Sequence, residues 1–432
     1  MKNRMIGLCL AIIILGAVTY PFYQTLAAEL MLPGIPARQV GAQTEPEQNE
    51  SDTSREYDEE REGEAELPKV ANSLSACLMD ADSGRVLYEK NGYQEMPMAS
   101  TTKIMTCLIV LENADMDEIV TVSKYASTMP DVQLGIVEGE QYYVKDLLYS
   151  LMLESHNDTA VALAEHVGGS VEEFCNMMTA RAKSLGAMHT SFRTPNGLDA
   201  DGHYTTAADL ALIGSFAIQN ETFLKITNTT SYNFTELTKG RQYAVSNKNR
   251  FLYMMDGAIG IKTGFTGKAG YCFVGALKRD GKSLVSVVLG CGWPPNKNLK
   301  WTDTTALMEY GLSEYEQRDV FEHDKTLEEI PVYGGVETSV TISCEGELSL
   351  LMRPDEQVRV DYQIAEYLTA PVGEGTQVGN ADYYIGDELI ASFPVKTSSG
   401  AEALTWKYCI EWAIRAITSG GTSFFENQIF GQ

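Results

Sequence analysis

Apolar positions along the chain change their period several times, and each change marks an element. Residues 73–79 and 85–89 are short strand-like runs around the turn Asp82-Ser83-Gly84. From residue 101 the spacing becomes helical, which predicts helices over 101–112, 145–153, 157–167, 171–185 and 207–219. Strand-like runs return at 269–279 and 282–290, joined by Asp280-Gly281, a strong hairpin signal. Strands at both ends of a helical middle predict one sheet closed from both ends, in a mixed α/β (α+β) domain over residues 68–318 with helices on both sides of an antiparallel sheet. Beyond it, residues 319–397 carry short alternating runs at 338–343, 347–352, 357–364 and 383–393, separated by Pro, Gly and acidic turns. These predict a small all-β, sandwich-like domain. A helix is predicted over 401–418, within a C-terminal segment 398–432.

The first residues fit neither pattern. Lys2 and Arg4 precede an uncharged apolar run over 5–28, and Thr25-Leu26-Ala27 is a small-x-small cleavage site. Residues 1–28 therefore predict a signal peptide or, if uncleaved, an N-terminal anchor long enough to span a bilayer. Residues 29–67 read as an acidic linker without a core of its own, because 45–66 hold eleven acidic residues against two arginines. The net charge of -26 excludes a nucleic-acid partner, since phosphate binding needs clustered Lys and Arg. The eight cysteines are scattered, without CxxC spacing or neighbouring His, so no metal site or disulfide framework is expected. Cys272 and Cys291 lie in strand-like runs and read as core fillers.

Three short motifs carry the candidate chemistry. In Ser100-Thr101-Thr102-Lys103, a helix starting at the serine would put Ser100 and Lys103 on one face, with Ser100 at the positive end of the helix dipole. A lysine made neutral by burial and a nearby cation can take that serine's proton. In Ser155-His156-Asn157, a hydroxyl can relay a proton and an amide can hold a carbonyl. In Lys262-Thr263-Gly264, a cation, a hydroxyl and a residue without a side chain lie together at a strand end. Each alone is a weak signal, readable as a capped helix or a polar turn. Together, and in this order, they are the signature of penicillin-binding proteins and class A β-lactamases.

With these motifs the chain resembles the low-molecular-mass penicillin-binding proteins, the D-alanyl-D-alanine carboxypeptidases. The segments Ala81 to Leu87, Asn196-Gly197-Leu198-Asp199-Ala200-Asp201-Gly202-His203-Tyr204-Thr205-Thr206-Ala207 and Lys262 to Tyr271 resemble further family segments. The resemblance implies that Ser100 forms an acyl-enzyme with Lys103 as general base. It implies that Ser155 passes the proton on and that Asn157 holds the substrate and Lys103. Lys262 would supply positive charge, Thr263 would contact a terminal carboxylate, and the N–H groups of Ser100 and Phe265 would form the oxyanion hole. His156, in a variable position of the second motif, reads as a spectator. The implied partners are peptidoglycan pentapeptide stems and β-lactam antibiotics, with no metal or cofactor. The implied place is outside the cytoplasm, on the outer face of the cell membrane.

Two departures from the family pattern stand out. Phe265 replaces a histidine found in some relatives, and Gly290-Cys291-Gly292-Trp293 carries no base where some relatives have Arg. A class A β-lactamase would need a deacylating Glu, and Glu221-Thr222-Phe223-Leu224-Lys225 only approaches that pattern. A non-catalytic relative that binds peptidoglycan or β-lactams would tend to lose a motif Ser or Lys, and this chain keeps them all. There is no G-x-S-x-G for a Ser-His-Asp hydrolase. In the predicted C-terminal helix, Lys407, Glu411 and Arg415 form a narrow charged line, while Leu404, Trp406, Tyr408, Ile410, Trp412, Ile414 and Ile417 cover the rest. An apolar arc this broad, with tryptophans, predicts a helix lying on a membrane surface, with docking on the small β domain as the alternative.

Overall fold

The computed structural model describes residues 67–130, 132–323 and 325–418. The expected export segment 1–28 and the acidic stretch as far as residue 66 lie outside them. The described residues belong to two compact units.

The first unit is built on a five-stranded antiparallel sheet in the order Val86–Lys90, Ser75–Asp80, Lys282–Leu289, Gly270–Arg279, Ala258–Thr266. Strands from both ends of the unit meet where Ser75–Asp80 pairs with Lys282–Leu289, as the bracketing pattern requires. Alternation along the strands divides the core. Cys77, Met79, Val274, Val285 and Val287 face a cluster that includes helices Lys103–Asn113, Val144–Leu153, Asn157–Gly168 and Ala207–Ala217. Ala76, Leu78, Phe273, Leu284 and Val288 face the other side, where helix Leu299–Glu314 supplies Trp301, Leu307 and Met308. This last helix has no clear stripe in the sequence, because its buried positions are mixed with Thr and Asp. The Asp280-Gly281 turn has positive φ at both residues (55° and 77°), the geometry that suits a two-residue hairpin.

One segment expected in the small β domain belongs to the first unit. Ser349–Met352 pairs antiparallel with Glu316–Asp319, and the unit takes in Ser349–Glu356. Arg85 explains why. It is buried, its guanidinium donates to the Leu351 carbonyl at 2.6 Å, and both its terminal nitrogens pair with Glu356. Leaving either charge buried alone would be costly, so the pair fixes the segment.

The second unit has a β core around Phe321, Ile330, Val332, Val340, Val395 and Tyr383. A four-stranded sheet runs Ile342–Cys344, Glu388–Thr397, Gln377–Ile385, Val358–Ile364, beside a three-stranded one. The run predicted as one strand at 383–393 is two, turning at Gly386 (φ 59°). The last helix is Trp406–Thr418, five residues shorter at its start than predicted. Ala401 and Ala403 are held as β-bridges to Val372 and Gly335, so the chain cannot coil before they end. Along the helix Trp406, Ile410 and Ile414, spaced by four, are 76%, 40% and 55% exposed. Among the described residues no helix is long and apolar enough to cross a membrane.

Candidate active site

Ser100 lies in a 3-10 turn, Ala99–Thr102, that runs directly into the helix Lys103–Asn113. In such a turn residues i and i+3 eclipse, which brings Lys103 over Ser100 more closely than an α-helix would. The turn is held by its neighbours. Ala99 has a φ of 49°, which a non-glycine residue rarely adopts. Thr102 Oγ1 donates to the Ala99 carbonyl at 2.8 Å and lies 2.9 Å from His203 Nε2. The other ring nitrogen accepts from the Arg193 N–H at 3.0 Å, so the proton of the neutral ring is on Nε2 and is donated to Thr102.

Lys103 is fully buried. Its Nζ is 3.0 Å from Ser100 Oγ, and donates to Asn157 Oδ1 at 2.8 Å and to the Asn196 carbonyl at 2.5 Å. The Asn157 amide nitrogen donates to the Pro130 carbonyl at 3.1 Å, which turns the oxygen toward the lysine. A neutral amine has two N–H donors and one lone pair. The two carbonyl-type acceptors use the donors, and the lone pair is left facing the Ser100 hydroxyl. Burial, and second the Lys262 ammonium, hold Lys103 well below the usual lysine range, with Asp158 opposing. Burial pushes Lys262 down to about 7. Both amines are thus held below the ordinary lysine range, the direction that favours their neutral form.

Lys262, Thr263 and Gly264 lie on the edge strand Ala258–Thr266. A Cβ on Gly264 would meet Ser100 N at 2.9 Å and both Ala99 Cβ and Thr101 N at 3.1 Å. The strand thus lies against the backbone of the Ser100 turn, and only glycine allows it. Phe265, next along, is exposed at the rim, with its ring 4.6 Å from that of Tyr271. Ser155 has a φ of 69°, and its Oγ is buried without a hydrogen-bond partner among the described residues. It directly precedes Asn157's helix, and Asp158 beside it accepts the N–H groups of Leu134, Gly135 and Ile136, which fixes a loop over the site.

The structure thus joins Ser100, Lys103 and Asn157 by direct contacts, brings Gly264 against the turn, and places Lys262 within electrostatic reach of Lys103. Three features had no role assigned from the sequence. The Asn196 carbonyl is a backbone group and has no side-chain signature. Gly197 has a φ of 85° and a Cβ there would meet the Ala99 carbonyl at 2.0 Å, yet Asn-Gly reads as an ordinary turn. His203 has one partner, Thr102, 101 residues away in sequence. On the side where Gly290 to Trp293 bring no base, Lys300 is buried with its Nζ over the rings of Tyr271 and Trp301. Cys272 and Cys291 are buried free thiols, each pushed up to about 12, first by burial.

His203 yields a pH prediction. Burial, then Arg193, lowers it from an ordinary value of 6.5 to about 4. The unfolded chain binds a proton there first, so the stability contribution is complete above about pH 6.5 and falls as pH drops toward 4. The expected loss over that window is about 3 kcal/mol. Denaturant unfolding between pH 4 and 7 should show a shallower slope in His203→Gln than in the wild type. An equal slope would assign the acid sensitivity elsewhere.

Residues 62–292 match the family described as D-alanyl-D-alanine carboxypeptidase, and residues 315–403 match the C-terminal domain of penicillin-binding protein 5. The chain is 32% identical over 329 residues to the D-alanyl-D-alanine carboxypeptidase DacF of Bacillus subtilis, covering 74% of this chain and 84% of that one. Penicillin-binding protein 5 from Haemophilus influenzae superimposes with a TM-score of 0.65 at 28% identity, covering 78% of this chain and 100% of that one. The Streptomyces K15 DD-transpeptidase gives a TM-score of 0.54 at 32% identity, covering 58% and 100%.

Proposed function

This chain belongs to the D-alanyl-D-alanine carboxypeptidase family, and we propose that Ser100 is the residue its substrate acylates. It is a serine-type peptidase that removes the terminal D-alanine from peptidoglycan stem peptides, and it works outside the cytoplasm. The observation that carries the assignment is the buried Lys103 amine, whose two carbonyl acceptors leave its lone pair to Ser100.

In this reading Ser100 Oγ attacks the carbonyl carbon of the penultimate D-alanine while its proton passes to Lys103. The N–H groups of Ser100 and Phe265 receive the developing oxyanion. Ser155 passes the proton to the leaving amine, and the C–N bond breaks. Terminal D-alanine departs, and an ester remains on Ser100. Water attacks the ester with Lys103 again accepting the proton, the bond from the acyl carbon to Ser100 Oγ breaks, Lys103 returns the proton to Oγ, and the shortened stem leaves as a carboxylic acid. Asn157 and Gly264 line the substrate, Lys262 supplies positive charge, and Thr263 contacts the terminal carboxylate. A β-lactam acylates the same serine. A peptide ending in D-alanyl-D-alanine should release D-alanine with the wild type and none with Ser100→Ala. Release by Ser100→Ala would overturn the assignment.

We further propose that helix Trp406–Thr418 lies on the outer face of the cell membrane. Its exposed line of Trp406, Ile410 and Ile414 supports this, since tryptophan and isoleucine at i, i+4 spacing suit the headgroup boundary. Lys407 and Glu411 pair at 4.0 Å, so attraction to anionic lipid is weak and apolar burial dominates. A chain of residues 29–432 should pellet with liposomes in high salt, and one ending at 399 should stay in the supernatant with D-alanine release intact. If the longer chain also stays in the supernatant, the helix lies elsewhere, as in docking on the β domain.

A further inference from the structure

We propose that His156 is a positioning residue, which holds Ser155 in its left-handed backbone conformation by bridging Ser150 and Glu154. The proposal rests on Ser155 being the proton relay of the reading above.

Ser155 is a non-glycine residue at a φ of 69°, and its hydroxyl makes no hydrogen bond among the described residues. Its own side chain therefore does nothing to hold the turn. That conformation disfavours any residue with a Cβ, so the surroundings must impose it. The two flanking side chains approach each other: His156 Nε2 is 3.4 Å from Glu154 Oε2. The other ring nitrogen, Nδ1, is 2.7 Å from Ser150 Oγ on the helix that ends at Leu153. The contact with Glu154 is electrostatic, and the ring is held by the one hydrogen bond that Nδ1 shares with the Ser150 hydroxyl.

Glu154 is itself anchored. Its Oε1 accepts the Ser246 N–H at 2.9 Å and pairs with Lys248 Nζ at 3.0 Å, while the Leu153 carbonyl accepts the Lys248 N–H at 3.1 Å. On the far side of the turn, Asn157 N–H donates to the Val132 carbonyl at 2.7 Å. The relay turn is thus tied back to one helix through His156 and across to residues 246–248 through Glu154. His156 is only 4% exposed, which removes water as a competing partner for the ring. Lys103 and Lys262 disfavour a charged ring, Asp158 and Glu154 favour one, and burial, the largest influence, keeps it neutral. His156 touches none of the groups given a chemical step, so its effect on catalysis runs through Ser155. It is not the spectator that the sequence suggested.

The test is a double-mutant cycle in the full chain, with acylation by a fluorescent penicillin as the readout because slow rates can be followed for hours. His156→Ala should lower the acylation rate on the order of tenfold at saturating penicillin, with the half-saturating concentration little changed. In a Ser155→Ala background the same substitution should change the rate less than about twofold, because the group it positions is gone. His156→Gln, which keeps a polar group able to bond Ser150, should recover most of the loss. Should His156→Ala fail to fold, Glu154→Ala in the same cycle reads the same bridge. A full His156→Ala penalty in the Ser155→Ala background, or a normal rate in His156→Ala alone, overturns the positioning role. A normal rate in Ser155→Ala alone instead overturns the relay reading beneath it.

Discussion

Lys103→Arg should be nearly as inactive as Lys103→Ala, with acylation and D-alanine release both down by on the order of 10²- to 10⁴-fold. Arginine keeps the positive charge but cannot lose a proton in the accessible pH range. The difference matters here because the lysine is arranged to be neutral. It is fully buried, close to a second cation, and its two short contacts with Asn157 and Asn196 use both donors of an uncharged amine. A guanidinium in that space would also direct donors at Ser100 and leave the hydroxyl proton with nowhere to go. Near-normal labelling in Lys103→Arg would mean that charge alone is needed.

Gly264→Ala should slow acylation by on the order of 10²-fold, although it adds a single methyl group at the edge of the sheet. The new Cβ meets backbone atoms of the Ser100 turn at 2.9 and 3.1 Å, and backbone cannot swing away as a flexible side chain can. Either the turn or the edge strand has to move. Because both donors of the proposed oxyanion hole lie on these two pieces, movement of either spoils the hole. The overpacking should also cost about 1–3 kcal/mol of stability. Rapid-mixing kinetics with a penicillin, beside a melting curve, separate the two effects. A wild-type acylation rate would show that the spacing between strand and turn is not critical.

Much of the geometry of this candidate site was legible in the sequence because its residues lie in short segments. Ser100 and Lys103 are three residues apart, so local geometry alone brings them together, and the 3-10 turn only tightens what a helix would do. The sheet closed from both ends was also legible, since short apolar runs mark Ser75–Asp80 and Lys282–Leu289 as strands, and both are buried on both faces.

What escaped depends on partners far apart in the chain or on backbone atoms. The Asn196 carbonyl on Lys103 is one case. Arg85, which ties Ser349–Glu356 to the first unit, is another, because nothing near Arg85 indicates a partner 271 residues away. His156 escaped for a different reason. Resemblance judged it by a variable position, while its proposed role rests on contacts with Ser150 and Glu154 that the motif does not show. The start of the last helix was misplaced because propensity cannot register the bridges at Ala401 and Ala403.

The most direct measurement is to label the full chain with a penicillin, digest it, and identify the modified peptide by mass spectrometry, with D-alanine release from a D-alanyl-D-alanine peptide followed in parallel. The account predicts a single adduct on Ser100, and one substitution, Ser100→Ala, that removes both the adduct and the release of D-alanine. An adduct on Ser155, or D-alanine release that survives Ser100→Ala, would contradict it.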